Sequence, residues 1–355
     1  MSPVEFCGMT LAHPVINGSG TFDAIAARRA FGEVLEQEFP FAAFVSKTIT
    51  LRPREGNPPP RLWEAPAGLI NSIGLPNRGL NRYLAEDLPT LAQWLPVPLI
   101  TNVMGSTAAE ISELVRACDA RDKIAAIELN VSCPNVHTGL DIGADPRQLE
   151  AVVKAVRPDT RKPLIVKLTP NTADVAACAQ AAQEGGADAV SLINTLRAMA
   201  LAPRTVDRGP SEHRSARGDD VDSSERPRAA VNPSRQWLGG GTGGLSGPAI
   251  RTVALAQVAA AAARVEIPVI GMGGVQCVAH AQDLLDVGAT LVAVGTESFR
   301  EPLTGARIAR GLASHSTWSI PATGLRGQMS ADKNPCKRAM PPYRSLDMTK
   351  PQVEV

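Results

Sequence analysis

The chain has 355 residues, enough for one large domain or two ordinary ones. Hydrophobic residues make up 44% and aromatic residues only 4%, so a core must be built mainly from Ala, Val, Ile and Leu. A net charge of +1 excludes the electrostatic footprint of a nucleic-acid binder or of a protein held on an anionic membrane.

The opening stretch, Met1 to Phe6, has no basic region followed by an apolar one, so no signal peptide is expected and the chain reads as cytoplasmic. Short apolar runs then recur at 14–20, 41–48, 98–105, 126–133, 163–169, 189–195, 268–274 and 291–296. Apolar strands without alternation are expected where helices cover both faces of a parallel sheet. Helical spacing appears between them at 80–94, 108–118, 146–156, 172–184 and 247–265. Eight alternations predict an α/β fold of the (β/α)8 TIM-barrel kind over residues 1–314, with a doubly wound open sheet as the lesser alternative. The longest apolar run, 252–263, is too short to cross a membrane, which takes about 18 residues or more.

Polar residues gather at the ends of these runs, where barrels carry their chemistry. They are Asn17 to Gly20, Lys47 with Thr48, Asn102, Asn130 with Cys133, Lys167, Asn194 with Thr195, Gly273 with Gly274, and Gly295 with Thr296. A polar residue at one strand end is commonly a helix cap. Two lysines and three of the asparagines, Asn102, Asn130 and Asn194, on five strands exceed what capping needs. Lys47 and Lys167 follow apolar residues, and burying them is costly unless an anion meets them. The glycines after the seventh and eighth runs let backbone N–H groups approach an anion, as at barrel phosphate sites. The run from Gly239 to Gly244, leading to Gly247, offers a third such loop or a flexible linker.

Glu128 to Asn135 sets Cys133 between two amides at a strand end. The thiol can serve as base or nucleophile beside a polar ligand, or pack as a small hydrophobe. The six cysteines show no CxxC spacing and no cysteine–histidine cluster, so no bound metal, iron–sulfur cluster or disulfide scaffold is expected. Arg204 to Arg228 holds six arginines and six acidic residues, with Val206 and Val221 as its only sizeable apolar side chains. Disorder is expected over 204–237, and again in the aperiodic tail, 315–355.

Several blocks together resemble the class 1 dihydroorotate dehydrogenases. They are Asn17 to Thr21, Ser46-Lys47-Thr48, Arg54 to Pro58, Asn71 to Asn77, Glu128 to Asn135, Val166-Lys167-Leu168, Ile193-Asn194-Thr195, Gly243 to Pro248, Gly271 to Gly274 and Val294-Gly295-Thr296. The resemblance implies FMN in the barrel mouth and oxidation of dihydroorotate to orotate in pyrimidine synthesis. It implies Cys133 as the base that takes the C5 proton while hydride leaves C6. It implies substrate contacts from Lys47, Asn71, Ser72, Ile73, Gly74, Leu75, Asn130, Asn194 and Thr195. Cofactor contacts would come from Ser19, Lys47, Thr48, Asn102, Asn130, Lys167, Ile193, Gly247, Gly273, Gly274, Gly295 and Thr296.

The Gly243 to Pro248 block resembles the partner-dependent class 1B branch, whereas Asn71 to Asn77 is closer to the homodimeric, fumarate-using class 1A. The resemblance therefore implies a homodimer, or a heterotetramer in which a subunit with FAD and an iron–sulfur cluster passes electrons to NAD. The competing readings are a pyrimidine-reducing flavin domain, a tRNA dihydrouridine synthase, and a non-catalytic barrel subunit of a redox complex. A cysteine hydrolase using Cys133 with His137 would leave the glycine loops unexplained.

Overall fold

The computed structural model describes residues 3–131, 142–202 and 235–315. Eight short strands form the frame: β1 (Val15–Asn17), β2 (Phe44–Val45), β3 (Leu99–Val103), β4 (Ile124–Asn130), β5 (Leu164–Lys167), β6 (Ala189–Leu192), β7 (Val269–Met272) and β8 (Leu291–Val294). Each coincides with one of the eight apolar runs. All pairings are parallel, in the order β1-β8-β7-β6-β5-β4-β3-β2. A doubly wound sheet would separate its first and last strands, whereas here β1 pairs with β8. The protein is a (β/α)8 barrel.

The ring closes between β1 and β2, where the Ala42 N–H donates to the Val15 carbonyl at 2.9 Å. Above that contact a side chain takes over from the backbone. The carboxamide of Asn17 donates to the Val45 carbonyl at 2.8 Å and accepts from the Val45 N–H at 2.8 Å. Asn17 is fully buried.

Alternation along the strands sorts the core into two layers. Ile16, Val45, Ile100, Ala126, Ile165, Ala189, Ile270 and Leu291 fill the barrel interior, together with Phe6 and Leu11 of an N-terminal hairpin (Val4–Phe6 with Met9–Leu11). Val15, Leu99, Ile127, Leu164, Val190, Val269 and Val292 face outward under the helices. Small interior residues such as Ala126 and Ala189 leave room for a tightly wound ring.

The helices begin at side-chain caps. Thr107 accepts from the Glu110 N–H ahead of helix Ala108–Asp119, Asp145 from Arg147 and Gln148 ahead of Pro146–Val156, and Asp174 from Ala177 ahead of Val175–Glu184. The last of these caps explains why that helix starts three residues later than the spacing alone predicts. The expected helix 247–265 is narrower too: a 3-10 turn at Pro248–Ile250 precedes Arg251–Ala262.

The sequence reading missed a roof. Leu62–Ala65, Gly68–Asn71, Leu196–Ala198 and Gly243–Ser246 form a four-stranded antiparallel sheet over the barrel mouth, built from the connections after β2 and β6. The stretch read as a glycine loop thus includes a strand. The expected disorder also reaches too far at its C-terminal end. Arg235 accepts from the Ala202 N–H, the Trp237 N–H donates to Ala200, and the Trp237 ring packs edge-on against Trp63 with centroids 5.0 Å apart. Residues 203–234 and the tail from 316 lie outside the described residues.

Replacing Asn17 with Ala removes both bonds to Val45 and leaves a buried N–H and carbonyl unsatisfied. A loss of about 2–4 kcal/mol is expected, read from the midpoint of urea denaturation. A variant as stable as the parent would show that the Ala42–Val15 contact closes the ring unaided.

Candidate active site

The inner face changes character two residues past the apolar layer. Ile100, Ala126, Ile165 and Ala189 are followed on their own strands by Asn102, Glu128, Lys167 and Ser191. All four are buried. Above them opens a cavity of about 620 Å3, within the range of small-molecule and cofactor sites.

The cavity has two unlike walls. On the β2–β6 side stand Lys47, Thr48, Asn130, Lys167, Ile193, Asn194 and Thr195. On the β7–β8–β1 side the lining is Met272, Gly273, Gly274, Gly295, Thr296, Gly18 and Ser19, with Gly247 from the β6 connection. Asn71, Ile73, Gly74 and Leu75 lean in from the roof. Seventeen of the expected site residues therefore meet in one cavity, drawn from positions up to 277 apart in the chain.

Lys167 is 5% exposed and has no hydrogen-bond or ion-pair partner among the described residues. Its neighbours in register are Asn130 and Ser191. Lys47 keeps much of its side chain exposed, yet partial desolvation in the mouth lowers its pKa below the usual lysine value. Asp23 opposes that shift and Arg61 adds to it. Asn130 donates to Thr48 Oγ1 at 3.2 Å, and the Thr195 N–H donates to Asn194 Oδ1 at 2.9 Å.

The glycine wall needs its glycines. Gly273 and Gly274 have φ of +132° and +68°, and a Cβ on them would lie 2.6 Å from the Cβ atoms of Ala254 and Arg251. Backbone therefore abuts the start of helix Arg251–Ala262, the arrangement that suits an anion. Across the cavity a Cβ on Gly244 would lie 1.9 Å from Thr195 Oγ1, so the roof strand rests directly on the β6 end.

Two expected residues do not line the cavity. The Ser72 hydroxyl donates to the Thr242 carbonyl at 2.8 Å and accepts from Asn57 Nδ2 at 3.0 Å, holding the roof loop from below. Asn102 donates to the Glu128 carboxylate, and its Oδ1 is buried without a partner. Cys133 lies outside the described residues, as do Asn135 and His137. The free thiols among the described residues are no substitute: burial pushes Cys7 up to about 11 and Cys118 up to about 12, and raises Cys178 as well.

Several lining residues escaped the sequence reading. Gln276 follows the Gly273–Gly274 pair by two residues and Glu297 follows Gly295 by two, and the Gln276 amide donates to Glu297 at 2.8 Å. Extending those loops by one turn would have found them. Leu62 and Leu69 belong to roof strands, which carried no strong periodic signal. The described residues hold no cluster suited to a metal ion, and no described helix is long and apolar enough to cross a membrane.

Comparison with known proteins agrees with this geometry. The family described as dihydroorotate dehydrogenase matches residues 1–210 and 221–315. A protein of Pelobacter propionicus named dihydroorotate dehydrogenase B (NAD(+)), catalytic subunit, is 41% identical over 310 residues, covering 87% of this chain and 91% of the relative. Proteins of the same name from Maridesulfovibrio salexigens and Desulforudis audaxviator are 39% and 40% identical, covering 87% and 88% of this chain and 91% and 92% of theirs.

A largely desolvated cation at the cavity wall, without an ion-pair partner among the described residues, costs stability. Lys167→Met should therefore stabilise the ligand-free protein, by about 1–3 kcal/mol, while weakening any electron-rich ligand of the cavity. Thermal unfolding without added ligand checks the sign. A lower melting temperature for the variant would mean that the ammonium is already satisfied.

Proposed function

The chain belongs to the dihydroorotate dehydrogenase family, and we infer from this that it is an oxidoreductase of CH–CH donors converting dihydroorotate to orotate in pyrimidine synthesis. NAD is the acceptor, reached through a partner subunit, as the relatives' names (an NAD-linked enzyme's catalytic subunit) describe for them. The family is flavin-dependent, and FMN is the flavin assigned to this cavity.

The observation that carries the assignment is the pair of unlike walls. A phosphorylated flavin has an anionic end and a ring edge of donors and acceptors, and each wall suits one of them. Gly247, Gly273, Gly274, Gly295 and Thr296, with Ser19, would hold the phosphate end. Lys167 would lie at the pyrimidine edge of the ring, with Thr48, Asn130 and Ile193 beside it. Asn102, expected at the flavin, lies beneath the cavity and not in its lining, with its Oδ1 buried and unpartnered. FMN, when bound, supplies the hydride acceptor.

The remaining chemistry belongs to the chain. Asn71, Asn130, Asn194 and Thr195, with the backbone from Ser72 to Leu75, would bind the substrate's carboxylate and ring amides, and amide side chains match a ring that both donates and accepts. Lys47 would stand between the two ligands, its ammonium facing the substrate carboxylate. Cys133, three positions after Asn130 in the chain, would take the proton from C5 while hydride leaves C6. An unperturbed thiol has a pKa of about 8.5, so turnover should rise as the pH moves through the alkaline range and the thiolate fraction grows. Lys167 would favour the negative charge that gathers at the pyrimidine edge during reduction.

Purified protein reconstituted with FMN should have visible flavin absorbance that dihydroorotate bleaches under anaerobic conditions. Failure to bleach a bound flavin would exclude the dehydrogenase and favour a non-catalytic barrel.

Cys133→Ser should retain FMN and orotate binding and lose about 100-fold or more of turnover at neutral pH, recovering partly in alkali. Unchanged turnover across the pH range would assign the motif to structure.

A further inference from the structure

Glu128 has no role in the reading above, yet among the described residues it is the only acidic side chain in the polar layer beneath the cavity. It is 2% exposed, on β4, two residues before Asn130. One carboxylate oxygen accepts from Asn102 Nδ2 on β3, and the other accepts from Ser191 Oγ on β6 at 2.6 Å. No described lysine, arginine or histidine forms an ion pair with it. Removing a carboxylate from water costs several kcal/mol, and two neutral donors recover only part of this. A core built only for stability would place a neutral or apolar residue here.

Its partners indicate what it does. Asn102 has two ends, and Glu128 can bind only the N–H end. That fixes the orientation of the carboxamide and leaves Oδ1 buried with no partner. The Asn102 backbone N–H is held by Ser46 Oγ at 3.0 Å, so the residue is pinned at two points with one acceptor to spare. Lys167, next to Ser191 in register, is the buried cation of the same layer and forms no ion pair with Glu128. The layer thus contains one positive and one negative charge that form no ion pair, Lys167 at the cavity wall and Glu128 beneath it.

We propose that Glu128 is a positioning residue for the flavin ring: it fixes the Asn102 carboxamide beneath the cavity floor and sets a negative charge there that opposes Lys167. The proposal rests on the flavin reading. Its consequences are for binding and redox potential rather than for the proton transfer at Cys133. A fixed negative charge near the ring disfavours adding electrons to it, so Glu128 holds the bound flavin at a lower potential than Lys167 alone would give.

The test compares Glu128→Gln, Glu128→Asp and Asn102→Ala with the parent, using FMN affinity of the stripped protein and the midpoint potential of the reconstituted one. Glu128→Gln lets Asn102 turn over and removes the charge, so FMN should bind about 10-fold more weakly and the potential should move positive. Glu128→Asp keeps the charge and should leave the potential near that of the parent. If orientation acts through Asn102, adding Glu128→Gln to Asn102→Ala should weaken binding no further. Should Glu128→Gln fail to fold, Ser191→Ala retains the charge with one anchor fewer and should weaken FMN binding about threefold. A folded Glu128→Gln, or failing that Ser191→Ala, with parental affinity and parental potential overturns the proposal alone. A parent protein that takes up no FMN overturns the flavin reading and the proposal with it.

Discussion

One amide holds the frame together. Parallel strands exchange hydrogen bonds with two neighbours each, and a barrel of eight works only if the last gap is bridged. Between β1 and β2 the strands are short, three residues and two, and backbone pairing supplies one contact. The carboxamide of Asn17 supplies the next two by imitating a peptide group, donating to Val45 and accepting from it. A carboxamide carries both functions on one rigid plane, as a peptide group does. Closure in turn points every strand's C-terminal end the same way, and the loops beyond those ends make the cavity. Gly18 continues the seam upward, its N–H donating to Val294 on β8 while Thr21 bonds to both, so the closing strand leads into the glycine wall.

Within that ring the interior is graded. Apolar side chains fill the lower part over the N-terminal hairpin, and the residues two positions further along β3 to β6 are polar or charged. The change falls where a hydrophobic core would otherwise continue. Burying Glu128 and Lys167 without joining them works against stability, and such conflicts between local rules and global fold cluster at functional sites. The outer layer under the helices carries the stability instead. Its Val, Ile and Leu side chains each contribute roughly 1.5–3 kcal/mol by leaving water.

Much of this was legible in the sequence because the signals were local. The eight apolar runs coincide with the eight strands, and most of their polar ends, though not Asn17 or Asn102, line the cavity. The fully buried strands carry an unbroken apolar pattern, and Asp145 with Pro146 marks a helix start in two residues. The roof was not legible. Its strands are three or four residues long and half-exposed, and Gly244 pairs with Asn71 from 173 positions away. Such pairings hold because the barrel has already brought the segments together, and no short window of sequence records that. Helix 80–94 was read as one element for the same reason. It contains a π-helical turn at Tyr83–Asp87, where the Tyr83 hydroxyl bonds to Thr101 on β3.

Side-chain orientation was the other thing hidden. Ser72 and Asn102 stand in motifs whose resemblance implies ligand contacts, but the described geometry gives their polar groups first to the protein. Ser72 links Asn57 to Thr242 and so holds the loop carrying Ile73, Gly74 and Leu75 at the cavity. Asn102 links Glu128 to whatever satisfies its free acceptor. A motif therefore mixes groups that touch a ligand with groups that aim them, and the two kinds look alike in a sequence. They separate once each donor and acceptor is traced to its partner. After that tracing the Lys167 side chain faces the cavity and can meet an acceptor there, whereas Asn102 Oδ1 lies beneath the lining, so only the first speaks to the chemistry of a ligand.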